Sequence, residues 1–169
     1  MASAPPPGLK VRRSGPQPGY RPCVGLMLIN PAGLVFLGER RGPLTNAWQM
    51  PQGGIDPDET PRDAAWRELR EEVGTGRAAL IEESRYWYAY DLPPQLRPPR
   101  WDRRYRGQSQ KWFAFRFTGT NADIDIAAHD PEFVRWRWAR ADEALRLIVP
   151  FKRPVYQAVI GEFGALLAA

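Results

Sequence analysis

The chain has 169 residues, 43% of them apolar, one cysteine and a formal net charge of +5. That length supports a single domain with its own core, and the lone Cys23 excludes an intrachain disulfide and fits a buried thiol in a reducing compartment. No apolar stretch reaches the roughly 18 residues of a membrane span and the N-terminus lacks a secretory apolar region, so a cytoplasmic protein without a membrane partner is expected; the positive balance favours anionic ligands without choosing among nucleotides, polyphosphates and RNA.

Residues 1–19 carry Pro5, Pro6, Pro7, Pro16 and Pro18 with three glycines, a composition that predicts a mobile tail, with residues 20–169 forming the domain. Val24 to Ile29 and Leu34 to Leu37 flank Asn30-Pro31-Ala32-Gly33, whose turn chemistry predicts a β-hairpin. The helix signals begin at Pro61 and run to Val73, with Thr60 as N-cap, Pro61 at the first helical position and Gly74 as the left-handed terminator. Further strands are expected over Leu80 to Tyr90, Trp112 to Thr118 and Phe133 to Ala139, where apolar residues alternate. A short helix near Asp142 to Leu147 and a longer one from Pro154 to Leu167, striped by Val155, Val159, Phe163 and Leu166, complete an α+β domain.

The chemistry concentrates between Gly53 and Thr75. At about 100° per residue Glu68, Glu71 and Glu72 project from one side of the helix, while Ala65, Leu69 and Val73 form a neighbouring apolar stripe. Like charges at these spacings repel by a few tenths of a kcal/mol per pair on an exposed helix, roughly, and a bound cation would relieve them. Hard oxygen donors without a Cys or His set point to Mg²⁺ or Mn²⁺ rather than zinc, and the only histidine, His129, is far along the chain. The competing reading is a solvated acidic face paired with Arg67 and Arg70. The Gly53-Gly54 loop, the additional Glu59 and the position of Arg67, able to hold a carboxylate bidentately, argue against it.

The order Gly53, five residues, Glu59, seven residues, Arg67-Glu68-Leu69, one residue, Glu71-Glu72, one residue, Gly74 resembles the Nudix box position by position, with Thr75 standing where an aliphatic residue is usual. The likeness extends through Tyr20-Arg21-Pro22, Trp48-Gln49-Met50-Pro51-Gln52, Gly107-Gln108, Gln110-Lys111-Trp112-Phe113, Pro131-Glu132-Phe133 and Phe151-Lys152-Arg153 to the RNA pyrophosphohydrolase and dinucleoside polyphosphate hydrolase branch of the Nudix family. The resemblance implies an α/β/α sandwich around a mixed sheet and removal of pyrophosphate from the 5′-triphosphate end of RNA, with dinucleoside polyphosphates as the alternative substrates. It assigns Glu68, Glu71, Glu72 and the Gly53 carbonyl to the metal, places Glu59 and Arg67 in the catalytic set, and leaves the general base open between a box glutamate, Glu68 or Glu71, and Glu132, which could equally be an additional metal ligand. Gly42-Pro43 stand as an insertion before Trp48, and Ala47 lacks the polar group expected there.

Arg85 to Lys111 holds seven basic residues against two acidic ones, interleaved with Tyr86, Trp87, Tyr88, Tyr90, Trp101 and Tyr105, a combination suited to phosphates and stacked bases or, alternatively, to a solvated basic loop over core aromatics. From matching positions Arg21, Arg40, Tyr90, Gln108, Lys111, Phe151 and Lys152 are the expected substrate contacts. Arg97, Arg100, Arg103, Arg104 and Arg106 are expected to contribute mainly a non-specific field. The expected partner is triphosphorylated RNA or a dinucleoside polyphosphate, not DNA; the oligomeric state stays open between a monomer and a dimer that exposed aromatics could serve. A catalytically silent RNA- or nucleotide-binding module is the reading from another class, and the intact set of box acids speaks against it.

Overall fold

The computed structural model describes residues 4–44 and 46–168. In chain order the elements are β1 (Lys10–Arg12), β2 (Arg21–Ile29), β3 (Val35–Arg40), β4 (Trp48–Gln49), β5 (Gln52–Gly54), α1 (Pro61–Glu68), β6 (Ala78–Asp91), β7 (Gly107–Phe117), β8 (Phe133–Ala139), α2 (Ala141–Leu147) and α3 (Arg153–Glu162). Among the described residues the eight strands form one mixed sheet, ordered β1-β6-β7-β2-β3-β4, with β5 on β2 and β8 on β3. β2 and β7 run parallel from Arg21 opposite Gln108 to Ile29 opposite Arg116, while the remaining pairs are antiparallel.

Strand alternation sends side chains to two cores. Met27, Ile29, Tyr90 and Trp112 pack with Val155, Tyr156, Val159 and Phe163 of the C-terminal helix on one face. On the other, Val24, Leu26, Leu28, Phe113 and Phe115 pack with Ala64, Ala65, Leu69 and Val73. The result is a sheet between helical layers, the sandwich expected. No helix among the described residues is long and apolar enough to cross a membrane.

Three expectations change. Residues 10–12 are not a mobile tail: they add β1 to the outer edge of β6, with Lys10 opposite Ala89 and Arg12 opposite Trp87. Tyr20, buried at 4% exposure, helps fix this segment by receiving the Lys10 ammonium at 2.6 Å and donating its hydroxyl to Asp91. The hairpin turn forms, with Asn30 Oδ1 accepting from Ala32 N and Leu34 N at 3.0 and 2.9 Å. The strands it joins nevertheless splay after the single pair Ile29–Val35, because β2 is taken by β7 and β5 and β3 by β8. Finally, the helix of the acidic motif is α-helical only to Glu68 and then widens into a π turn over Leu69–Val73, which Gly74 ends at φ 76°. A side chain at Gly74 would also collide with the Asp125 carbonyl.

Candidate active site

Helix α1 is anchored as its sequence specifies. Thr60 caps it by accepting from Asp63 N at 3.1 Å, Pro61 opens it, and Trp66 leans edge-on against Phe115 with ring centroids 4.8 Å apart. The π turn that follows is a frequent device at functional sites, because it rotates side chains out of the regular helical register. Here Glu68 and Glu72 are both 7% exposed and turn inward, whereas Glu71 keeps 45% of its side chain in solvent. The three acids therefore do not share one solvated face, and the repulsion is stronger than an exposed helix would give.

Arg67 organises these carboxylates. Its Nε and Nη2 grip Glu59 bidentately at 2.9 and 2.5 Å, Nη1 donates to Glu68 at 2.8 Å and Glu71 at 3.2 Å, and Nη2 also reaches the Gly54 carbonyl at 2.8 Å. The hydrogen bonds from Arg67 hold Glu59 below the usual carboxylate range. Burial pushes Glu68 up to about 7 despite its bond to Arg67. Burial, then the charge of Glu68, raises Glu72 well above its ordinary value, opposed by Gln52 N, which donates to Glu72 Oε2 at 3.2 Å. Gly53 lies directly against the Glu68 carboxylate, where any Cβ would overlap it. Two buried like-charged oxygen donors beside an open glycine backbone fit a hard divalent cation. Among the described residues no three Asp, Glu, His or Cys side chains converge into a closed cage.

The acids open into a cleft of about 800 Å³. Glu68, Glu71, Glu72, Gly53 and Glu132 meet Arg21, Arg40, Tyr90, Gln108, Phe151 and Lys152 there, so most of the expected residues converge. Glu132 is exposed on its loop and tied to the chain after β3 by Arg41 N, which donates to the Glu132 carbonyl at 3.0 Å. The insertion around Gly42 and Pro43 also lines the cleft, as does Ala47.

Among the expected substrate contacts Lys111 is the exception, as Glu59 and Arg67 are among the expected catalytic residues. Period-two alternation along β7 places it on the α1 side of the sheet, opposite to Gln108 and Gln110, and its ammonium sits 3.6 Å from Glu83 outside the cleft. Tyr90 also takes a different part from a stacking platform: it is 6% exposed and its hydroxyl donates to Gln108 Oε1 at 2.7 Å. Phe151, only partly buried, presents the adjoining aromatic surface, with ring centroids 6.1 Å apart.

A glutamine network lies behind these groups. Lys152, 4% exposed, donates to Gln49 Oε1 at 3.1 Å and Gln52 Oε1 at 3.4 Å; Gln110 Nε2 donates to Gln52 Oε1 at 2.9 Å. Burial, then the neighbouring Arg40 charge, pulls the Lys152 ammonium down to about 7. Gln49, Gln52 and Gln110 had stood out in the sequence only as parts of longer motifs, and His129, set aside as remote, lines the cleft near Glu132. Only the tertiary fold reveals these roles, since no local spacing connects residues 49, 110 and 152.

A NUDIX domain model matches residues 19–159. The chain belongs to the NUDIX family. An RNA pyrophosphohydrolase of Rickettsia bellii (strain OSU 85-389) is 53% identical over 148 residues, covering 88% of this chain and 92% of that protein. The RNA pyrophosphohydrolase of Rickettsia africae (strain ESF-5) is 52% identical over the same length and shares of each chain. The fold is similar to that of a C. elegans Ap4A hydrolase binary complex, with TM-score 0.62 at 16% identity, covering 86% of this chain and 98% of that one. It is also similar to the E. coli dihydroneopterin triphosphate pyrophosphohydrolase, with TM-score 0.59 at 20% identity and coverage of 83% and 94%. Membership in this family, together with these relatives, makes the chain a pyrophosphohydrolase.

Proposed function

We propose that this NUDIX enzyme removes pyrophosphate from the 5′-triphosphate end of RNA and leaves a 5′-monophosphate. The observation that carries this reading is the convergence, in one cleft, of buried carboxylates able to hold a divalent cation with Arg21, Arg40 and Lys152, able to hold a polyphosphate. The relatives at 52–53% identity named RNA pyrophosphohydrolases support the substrate class.

Glu68 and Glu72, with Glu71 and the Gly53 carbonyl, are the groups that would hold Mg²⁺; once bound, it would neutralise phosphate charge and lower the pKa of a coordinated water. Arg67 holds one oxygen each of Glu68 and Glu71, and the cation would take the others. Glu132, exposed in the cleft, is the better placed carboxylate to take the proton of the attacking water. The water oxygen bonds to phosphorus, the anhydride between the α- and β-phosphates breaks, and pyrophosphate leaves. Arg21, Arg40 and Lys152 offset the charge of the phosphates during this exchange, and Phe151 offers a face to the first base.

The test is competition, with Mg²⁺ present, between a short 5′-triphosphorylated RNA and diadenosine tetraphosphate. The expected result is faster conversion of the RNA to its monophosphate. Preference for the dinucleotide would overturn the RNA assignment, and turnover of neither would overturn the catalytic one.

A further inference from the structure

The segment joining β6 to β7, residues 92–106, contains five arginines against one acidic residue, and four of its positions are proline. Pro93 and Pro98 lead into two short 3₁₀ turns, Pro94–Leu96 and Pro99–Trp101. The second turn is closed by Trp101 N donating to Pro98 O at 3.0 Å, and the chain continues with Asp102 N on Pro99 O at 3.1 Å and Arg104 N on Trp101 O at 2.7 Å. Its far end is tied down by the Arg106 ion pair to Asp91 at 3.0 Å and by Arg106 N on Gly19 O at 2.9 Å. Backbone restricted in this way has little conformational entropy left to lose on binding.

Arg97, Arg100 and Trp101 line the active-site cleft. Arg97 spends only its Nε on a neutral acceptor, the Leu92 carbonyl at 2.9 Å, and Arg100 is exposed. Trp101 is 4% exposed and packs edge-on against Tyr105, yet its indole Nε1 is buried without an acceptor among the described residues. That donor has no accessible surface, so Trp101 serves the loop as a packed anchor against Tyr105 and leaves Arg97 and Arg100 as the groups presented to a ligand.

We infer that this proline-stiffened loop is the track for the RNA strand beyond its reacting end, with Arg97 and Arg100 on backbone phosphates. The inference rests on the RNA reading above and makes the loop the part of the enzyme that distinguishes a chain from a dinucleotide. Electrostatic contacts to a single strand show themselves in salt dependence, at a slope of about 0.7 per phosphate neutralised.

The experiment compares kcat/KM for a 5′-triphosphorylated dinucleotide and a 5′-triphosphorylated 12-nucleotide RNA across a salt series, in the full-length enzyme and in Arg97→Gln/Arg100→Gln. The preference of the unaltered enzyme for the longer RNA is expected to fall about tenfold in the variant. The salt slope for the longer RNA should become shallower by about 1.4, two contacts at about 0.7 each. Arg100→Gln alone, at an exposed position, gives about half the slope change and serves if the double variant does not fold. An unchanged preference and slope in the arginine variants overturn the track. Failure of the unaltered enzyme on both RNAs would instead overturn the pyrophosphohydrolase reading, whereas conversion of both without a preference for the longer one would overturn this inference alone.

Discussion

Replacing Arg67 by lysine keeps the charge and removes the fork. The guanidinium makes two hydrogen bonds to Glu59, one each to Glu68 and Glu71, and one to the Gly54 carbonyl. A single ammonium cannot span Glu59 and Glu68 together. The bond to Glu68 matters most because that carboxylate is 9% exposed, and a charge-assisted bond there contributes about 1.5–3 kcal/mol. The Glu59 contact is discounted to below about 1 kcal/mol, since both side chains retain some contact with water. A loss of about 2–3 kcal/mol corresponds to about 30–200-fold in rate at 1.36 kcal/mol per decade. The assay is kcat against Mg²⁺ concentration on triphosphorylated RNA. The expected result is a kcat about 100-fold lower with a raised Mg²⁺ half-saturation, in line with other residues that orient metal ligands. A variant within threefold of the unaltered enzyme, with the same Mg²⁺ half-saturation, would refute the organising role of Arg67.

Glu72→Gln keeps the shape of a buried ligand but removes its charge, so kcat should fall by about 100-fold or more while the affinity for a non-hydrolysable triphosphate analogue measured without metal is retained; preserved turnover would refute the metal assignment. Lys111→Met should leave kcat/KM within about twofold, because Lys111 faces Glu83 on the opposite side of the sheet from the cleft. A tenfold loss in steady-state assays of that variant would show that the helix-side placement of Lys111 is not the one used in catalysis.

Local signals were readable where one short segment decides the outcome. Thr60, Pro61 and Gly74 specify both ends of the acidic helix, and alternation in Phe113, Phe115 and Phe117 specifies a strand, so the sandwich and the acidic motif follow from neighbouring residues. The π turn did not, because nothing in Leu69–Val73 distinguishes it from an α-helical turn; packing of Leu69 and Val73 beneath the sheet accompanies it. Lys111 was misplaced because a motif read as a string carries no face, and one step along a strand reverses it. β1 was missed because three residues between prolines show no useful periodicity, and its pairing depends on the edge of β6, more than 70 residues away in the chain. Lys152 was picked out by its motif, but its burial among Gln49 and Gln52 is a property of three distant segments meeting.

The small strand at Lys10–Arg12 lies outside residues 19–159, the span shared with the NUDIX model, yet it occupies the outer rim of β6. Were the chain to begin at Gly19, the backbone amides and carbonyls of β6 that face β1 would be left as an open template, and such rims recruit extended segments from other molecules. β1 thus caps the Trp87–Ala89 stretch of that rim. The residues that close this stretch of the sheet edge lie outside the span matched by the family model, so a chain trimmed to that span would present the backbone of Trp87–Ala89 to its surroundings.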